Sequence, residues 1–478
     1  MEKVKTKEKA LASISAKSFI SVVIILVVMI AICGLISLFI PQGSFVRDGN
    51  GQIIADSFTQ GGVKGIALWR VITAPLRVFF VEGGINILMI SIFLLIMSGV
   101  FNMLDKTNGL KILMTRMLNK FGKNKKIVVC LGILFFMLFG SLFGLFEELV
   151  TLLPFVTLFM LSLGFDTMTG LGVCLMASCF GFSAALTNPF SIGIASNIAG
   201  ISTMSGIWFR LILFVLIYVV VCLFILGHIK RIKKDPAKSL SYLVDKDKKE
   251  KIKLNSLEEI ENGNKIFRVY TTFFIIQFVV LVLVATIRAI SGYAIPILAG
   301  TFLIGGIVCG LMVEKDKKQV FALLGKGALA MLPAVLLIAL ASSVNLVMQE
   351  SGTLDTIMNY IIGFLETKSS FVCALLIYGL ILFLQLFIGS ASAKIFLVMP
   401  ILFPICSVVG ISPTLLIMIY CMADGFSDVI LPTNPVLLIG LSMSNISYGK
   451  WVRWTWKIQL LILLLCFALI FVAIQIGL

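Results

Sequence analysis

Thr187-Asn188-Pro189 interrupts one apolar stretch, and Thr433-Asn434-Pro435 interrupts another. Asn188 stands 34 residues after Pro154, and Asn434 stands 34 residues after Pro400. One offset of 246 carries Pro154 to Pro400, Gly164 to Gly410, Phe180 to Phe426 and the whole triplet onto its twin. An offset of 243 carries Asn102 to Asn345 and Gly109 to Gly352. Helix-breaking polar residues at matching places in two hydrophobic halves mark a secondary transporter built from repeats.

The bulk composition agrees. The chain has 478 residues, 59% of them hydrophobic and 13% charged, with a mean hydropathy of +1.10. So apolar a chain could not hide its surface in water, which makes it an all-α polytopic membrane protein. The net charge of +16 is unevenly placed, with five lysines in 1–17, seven Lys/Arg in 105–126 and twelve in 228–268. This is the positive-inside bias, and it puts the N-terminus in the cytoplasm. No aromatic-basic motif accompanies the charge, so nucleic acid is not an expected partner. The ten cysteines lie in apolar runs without a Cys-x-x-Cys pair and read as small hydrophobes. His228, the sole histidine, reads as an interface residue at a span end. The run 19–40 is too long for a signal-peptide core and reads as a retained span.

Spans are expected at 19–40, 84–104, 209–227, 269–288, 294–313, 320–349 and 456–476. An interfacial helix is expected around Trp69 to Phe80, and an amphipathic surface helix over 105–126. Residues 127–163 and 371–408 are too long and too interrupted for single helices and read as re-entrant hairpins. Residues 169–199 and 411–445 read as broken spans. Their irregular backbone is tolerable only inside protein or beside water. The resulting parts are 1–126 (first scaffold part), 127–227 (hairpin, broken helix, closing span), 228–268 (a mobile basic linker without chemistry), 269–370 (second scaffold part) and 371–478 (second hairpin, broken helix, closing span). Because 269–288 crosses once without a counterpart, the halves are inverted and the C-terminus lies outside.

The candidate site lies where two tips and two breaks converge. Tip one is Gly140–Glu148 and tip two Gly389–Lys394. A broken helix exposes N–H groups at one new end, suited to a substrate carboxylate, and carbonyls at the other, suited to Na⁺. The expected substrate ligands are Ser141, Glu147, Glu148, Thr187, Asn188, Ser390, Ser392, Lys394, Asp424, Thr433 and Asn434. Charges inside a membrane are costly unless paired or hydrated, so Glu147, Glu148, Asp424 and Asp428 are the candidates for a coupling Na⁺ or H⁺. Lys394 reads equally as a carboxylate partner or an internal counter-ion. Asn102, Asn345 and Gln385 line the path or glue helices, and Asp166 reads as an N-cap. No phosphate loop, His pair or nucleophile elbow is present, so neither an enzyme nor a cofactor is expected. A channel built on the same loops is the rival from another class.

At these residues the chain resembles the anaerobic C4-dicarboxylate carrier family, particularly its YfcC-like branch, named for basic amino acid antiport. The likeness rests on Phe146-Glu147-Glu148 running to Pro154, Leu163-Gly164-Phe165-Asp166, Gly181-Phe182 and Thr187 through Ala195. It continues in Gly389-Ser390-Ala391-Ser392, Met399-Pro400, Asp424-Gly425-Phe426-Ser427, Pro432-Thr433 and Gly449-Lys450-Trp451-Val452-Arg453. It implies the ion transporter superfamily fold, with a scaffold and a sliding elevator-type transport domain, often in homodimers, in a prokaryotic inner membrane. Lys394 stands where that branch implies an uncharged residue, and Asn434-Pro435 where it implies a Ser-Gly-like pair. The substrate expectation is a small carboxylate-bearing metabolite, an amino acid such as arginine or ornithine ahead of succinate, fumarate or malate.

Overall fold

The computed structural model describes residues 16–46, 57–81, 84–113, 116, 124–150, 152–246, 248, 262–287, 293–314, 316–365 and 368–478. The lysines up to residue 15, residues 117–123 and residues 249–261 lie outside these, and with them part of the surface helix expected over 105–126. Among the described residues, seven helices are long and apolar enough to cross a membrane, and one of them is Lys125–Phe143, which was expected as a half-length arm of a hairpin.

Two helix pairs, over 125–163 and 370–409, have their outer ends joined by a hydrogen bond. In the first, helix Lys125–Phe143 stops at Gly144, which takes the left-handed conformation at φ 69°. A residue with a Cβ would be strained there. The short helix Glu147–Val150 follows, then Leu153–Ser162 with Pro154 in its first turn, where proline fits. The outer ends meet, because Lys125 Nζ donates to Leu163 O at 2.6 Å. In the second, Ser370–Gln385 and Ala391–Val408 flank the tip, and Ser370 Oγ donates to Val409 O at 2.5 Å. The two closures are separated by 245 and 246 residues, the spacing already legible in the sequence.

Two further stretches break in the middle. The helical run Thr167–Ser183 contains a wide turn at Gly172–Met176 and stops; the chain resumes as Pro189–Gly193 and Ile194–Ala199. Its twin is Pro413–Asp428 followed by Pro435–Ser444. A helix of 10 residues such as Pro435–Ser444 spans about 15 Å, half of a ~30 Å hydrocarbon core. The caps repeat as well. Asp166 accepts from Thr169 N at 2.9 Å and Ser412 from Leu415 N at 3.1 Å, so Asp166 is the N-cap expected of it.

The first hairpin helix runs alongside the first broken helix at glycine distance. A Cβ on Gly140 would lie 2.3 Å from Ser178 O, and one on Gly181 2.1 Å from Met137 O. Closing helices Ile207–Lys234 and Tyr448–Gln475 complete each half. The start of the first broken helix shares an end of the molecule with the finish of the second: Asp245 accepts from Thr167 N, and Lys248 Nζ donates to Ser444 O at 3.5 Å. At the opposite end, a cavity wall joins Ile201 and Ser205 to Thr414.

Among the remaining helices, Gly84–Lys106 packs against Lys317–Ala330 and Ala294–Val313. Helix Leu68–Arg77 exposes Trp69, Ile72 and Leu76, and Arg77 pairs with Glu350. Three readings need correction. The span expected at 320–349 is present as Lys317–Glu350 but is interrupted at Met331, between Lys317–Ala330 and Leu332–Glu350, where Pro333 removes a backbone donor. The segment after 228 is not a loose linker throughout: Ser239, Ser241 and Asp245 are buried against the first broken helix. His228 is no plain interface residue, since it bonds Asp166 at 2.8 Å and accepts from Trp454 Nε1 at 3.1 Å.

Candidate functional site

The first break is stitched by Ser141. Its carbonyl accepts from Leu186 N, Thr187 N and Asn188 N at 3.1–3.2 Å, and its hydroxyl donates to Ala184 O at 2.7 Å. These bonds satisfy the backbone groups that the break would otherwise orphan inside an apolar layer. Thr187 Oγ1 donates to Leu142 O at 2.9 Å, and Asn188 Oδ1 caps the outgoing half-helix by accepting from Phe190 N at 2.9 Å.

The second break repeats the pattern. Thr433 Oγ1 donates to Gln385 O at 3.1 Å, and Asn434 Oδ1 accepts from Val436 N at 2.9 Å and Leu437 N at 3.3 Å. The Asn of each Thr-Asn-Pro triplet is therefore an N-cap, and the Thr ties its break to the neighbouring tip. Both polar side chains spend much of their bonding capacity on holding the breaks open.

The tips and breaks converge. Ser392 Oγ donates to Phe190 O at 3.2 Å, bridging the second tip to the first break. Cys179 Sγ donates to Gly425 O at 3.2 Å, and Phe180 meets Phe426 edge to face. Within this contact zone lie the charges. Lys394, at the end of tip two and in the first turn of Ala391–Val408, forms an ion pair with Asp424; the two side chains are 0% and 1% exposed. That ion pair is the ammonium's sole polar contact among the described residues. Asp428, one turn on, accepts from Gln385 Nε2, and Asn434 is its second side-chain partner. Tyr420 Oη donates to Ala391 O at 2.6 Å and holds tip two against the broken helix.

Other expected ligands sit differently. Ser390 is exposed, with its hydroxyl facing Ala393 N at 3.4 Å. Glu147 is half-buried on the short helix after tip one. The side chain of Glu148 lies outside the described residues. Asn102 donates to Leu323 O at 2.8 Å and glues helices. No cluster of three potential metal-ligating side chains occurs among the described residues.

Sequence reasoning missed Arg210. It is buried at the start of the closing helix, donates to Thr203 O at 2.5 Å and Ser205 O at 3.0 Å, and leaves its Nε unpartnered. It also passed over the network at the other end, where Asp166 joins His228, Ser239 and Thr169 while Asp245 joins Thr167 and Ser241. Asp166, read in the sequence as an N-cap, was the available signal; Asp245 lies 79 residues further on and offered none.

Apolar helices long enough to cross a bilayer, together with interrupted helices whose polar breaks meet around buried charges, define a membrane transporter. The chain belongs to the C4-dicarboxylate anaerobic carrier family, whose model matches residues 17–475. It is similar to an uncharacterized protein of Haemophilus influenzae, 27% identical over 379 residues covering 78% of this chain and 73% of the other. It is also similar to the "Putative basic amino acid antiporter YfcC" of Escherichia coli, 25% identical over 380 residues covering 76% and 73%. Among solved structures, the Alcanivorax borkumensis YdaH transporter aligns with a TM-score of 0.41 at 17% identity, over 96% of this chain and 98% of that one. Neisseria gonorrhoeae MtrF aligns at 0.43 and 15% identity, over 95% and 94%.

Proposed function

We propose that this protein is a secondary active transporter of a small zwitterionic or cationic amino acid across the inner membrane of a prokaryote. The observation that carries the reading is the buried Lys394–Asp424 pair at the junction of tip two and the second broken helix. Opening such a pair leaves two bare charges in a low-dielectric setting, which costs several kcal/mol unless both are matched again. An amino acid matches both, its carboxylate facing Lys394 and its ammonium facing Asp424. Glu147 and Asp428 are then the acids for a second substrate cation, a proton or Na⁺. A C4-dicarboxylate matches Lys394 with one carboxylate, but leaves Asp424 to a coupling cation. Lys394 itself, a buried cation against the second broken helix, is what favours that second reading.

The twin closures Lys125–Leu163 and Ser370–Val409 support two re-entrant hairpins in an inverted repeat. The basic residues gathered at the foot of the first hairpin and the end of Ile207–Lys234 support a cytoplasmic N-terminus and an outer C-terminus. In this reading the hairpins and broken helices slide as one unit against spans 19–104 and 269–349, in a homodimer.

The test is counterflow in proteoliposomes, with labelled arginine and labelled succinate side by side, each with and without Na⁺. Arginine accumulation supports the amino acid reading. Succinate accumulation alone transfers the site to the dicarboxylate reading, and ion conductance without counterflow would make the protein a channel.

A further inference from the structure

A half-open pocket of about 670 Å³ lies between the foot of the first hairpin, the end of the closing helix and the segment 236–246. Its floor is apolar, formed by Leu163, Phe165, Ile229 and Ile232. Its rim carries four ammonium groups, from Lys125, Lys126, Lys233 and Lys246, against two carboxylates, Asp166 and Asp245, a net of +2. The carboxylates are turned away from the opening. Asp166 is held by His228, Ser239 and Thr169, and Asp245 by Thr167 and Ser241. Lys125 is engaged with Leu163 O. Lys126, Lys233 and Lys246 are exposed and pair with no carboxylate among the described residues.

We propose that this pocket binds the headgroup phosphate of an anionic phospholipid, with the start of an acyl chain along the apolar floor. A basic pocket between helices on the positively charged face of a membrane protein is suited to such a headgroup. A free phosphate would use the ammonium groups but gain nothing from Leu163, Phe165, Ile229 and Ile232, whereas a lipid uses both. The pocket also sits at the end of a 28-residue helix that is longer than a ~30 Å core requires, which is headgroup depth. A lipid there would tie together the first hairpin, its broken helix and the segment 236–246. The proposal concerns a surface away from the transport site and stands whichever substrate is carried.

The test uses the purified full chain in a neutral detergent, titrated with phosphatidylglycerol, phosphatidylcholine or inorganic phosphate. Thermal melting and native mass spectrometry are the readouts. The triple variant Lys126→Gln/Lys233→Gln/Lys246→Gln is compared with Lys317→Gln/Lys318→Gln/Lys326→Gln, which removes equal charge from exposed positions elsewhere. Phosphatidylglycerol should stabilise the wild type and the control variant, with phosphatidylcholine and phosphate inert, and the pocket variant should lose roughly a hundredfold in apparent affinity. Equal response of the pocket variant and wild type would overturn the proposal, as would equal loss in the control. Phosphate acting as well as phosphatidylglycerol would also overturn it and point to a soluble anion.

Discussion

Phe180 and Phe426, 246 residues apart in the chain, meet edge to face with ring centroids 5.4 Å apart and ring planes at 84°. The neighbouring twins Cys179 and Gly425 are joined by a hydrogen bond at 3.2 Å. Equivalent residues of the two halves therefore touch each other. Contact between equivalents is what a pseudo-two-fold axis produces, and the proposed site lies around that contact.

This contact predicts a measurable coupling. Phe180→Ala and Phe426→Ala should each destabilise the protein by about 3–5 kcal/mol, as truncating a buried aromatic does. The double variant should fall short of the sum by about 0.5–1.5 kcal/mol, the usual worth of an aromatic pair. Thermal or chemical unfolding of the four proteins in nanodiscs checks it, and strict additivity would mean that the rings do not interact.

The ion pair predicts a split between folding and transport. Lys394→Met or Asp424→Leu alone should cost about 3–5 kcal/mol, since each leaves a buried charge without its partner. Lys394→Met/Asp424→Leu together should recover most of that stability yet not transport. A structural pair would recover both.

Glu147→Gln and Asp424→Asn test the acidic assignments without changing side-chain size. Under the amino acid reading, Asp424→Asn abolishes counterflow and Glu147→Gln reduces it or changes its ion dependence. Normal transport by both variants would remove these acids from the site.

At the basic end, Asp166 predicts a pH signature. Burial pushes its carboxyl up, but the His228 bond and charge, with Ser239 and Thr169, outweigh it and hold the group at about 2, below 3.8. A depressed carboxylate pKa stabilises the fold above the unfolded value, and that contribution is lost as pH falls through the folded one. The contribution is about 2 kcal/mol by the usual conversion. Comparing wild type with Asp166→Asn, the stability difference should shrink as pH falls from about 4 toward 2. A gap that persists unchanged to pH 2 would deny the interaction.

The breaks were legible because proline, glycine and Asn-type caps are local signals, and because a 246-residue repeat duplicates them. Lys394 stood out as a lone cation on a tip, although its choice of Asp424 over Glu147 depends on how the tip packs, which spacing does not encode. Arg210 was not legible. An arginine at a span start reads as a residue reaching for the interface, and only the loop at 200–206 folding over it makes it internal. The docking of Ser239, Ser241 and Asp245 was hidden for another reason. It is made by polar side chains capping a helix start, without the hydrophobic periodicity that reveals packing. Pro333, by contrast, was in plain view as a break in the span at 320–349.

The functional account depends on the two halves standing antiparallel in the bilayer. Asn124 and Ser369, exposed residues 245 apart at the feet of the two hairpins, report on it. Nine of the ten native cysteines are buried, so Asn124→Cys and Ser369→Cys can be labelled selectively with a membrane-impermeant thiol reagent. The account predicts that Asn124→Cys reacts only from the cytoplasmic side and Ser369→Cys only from the outer side. Labelling of both from the same side would contradict it.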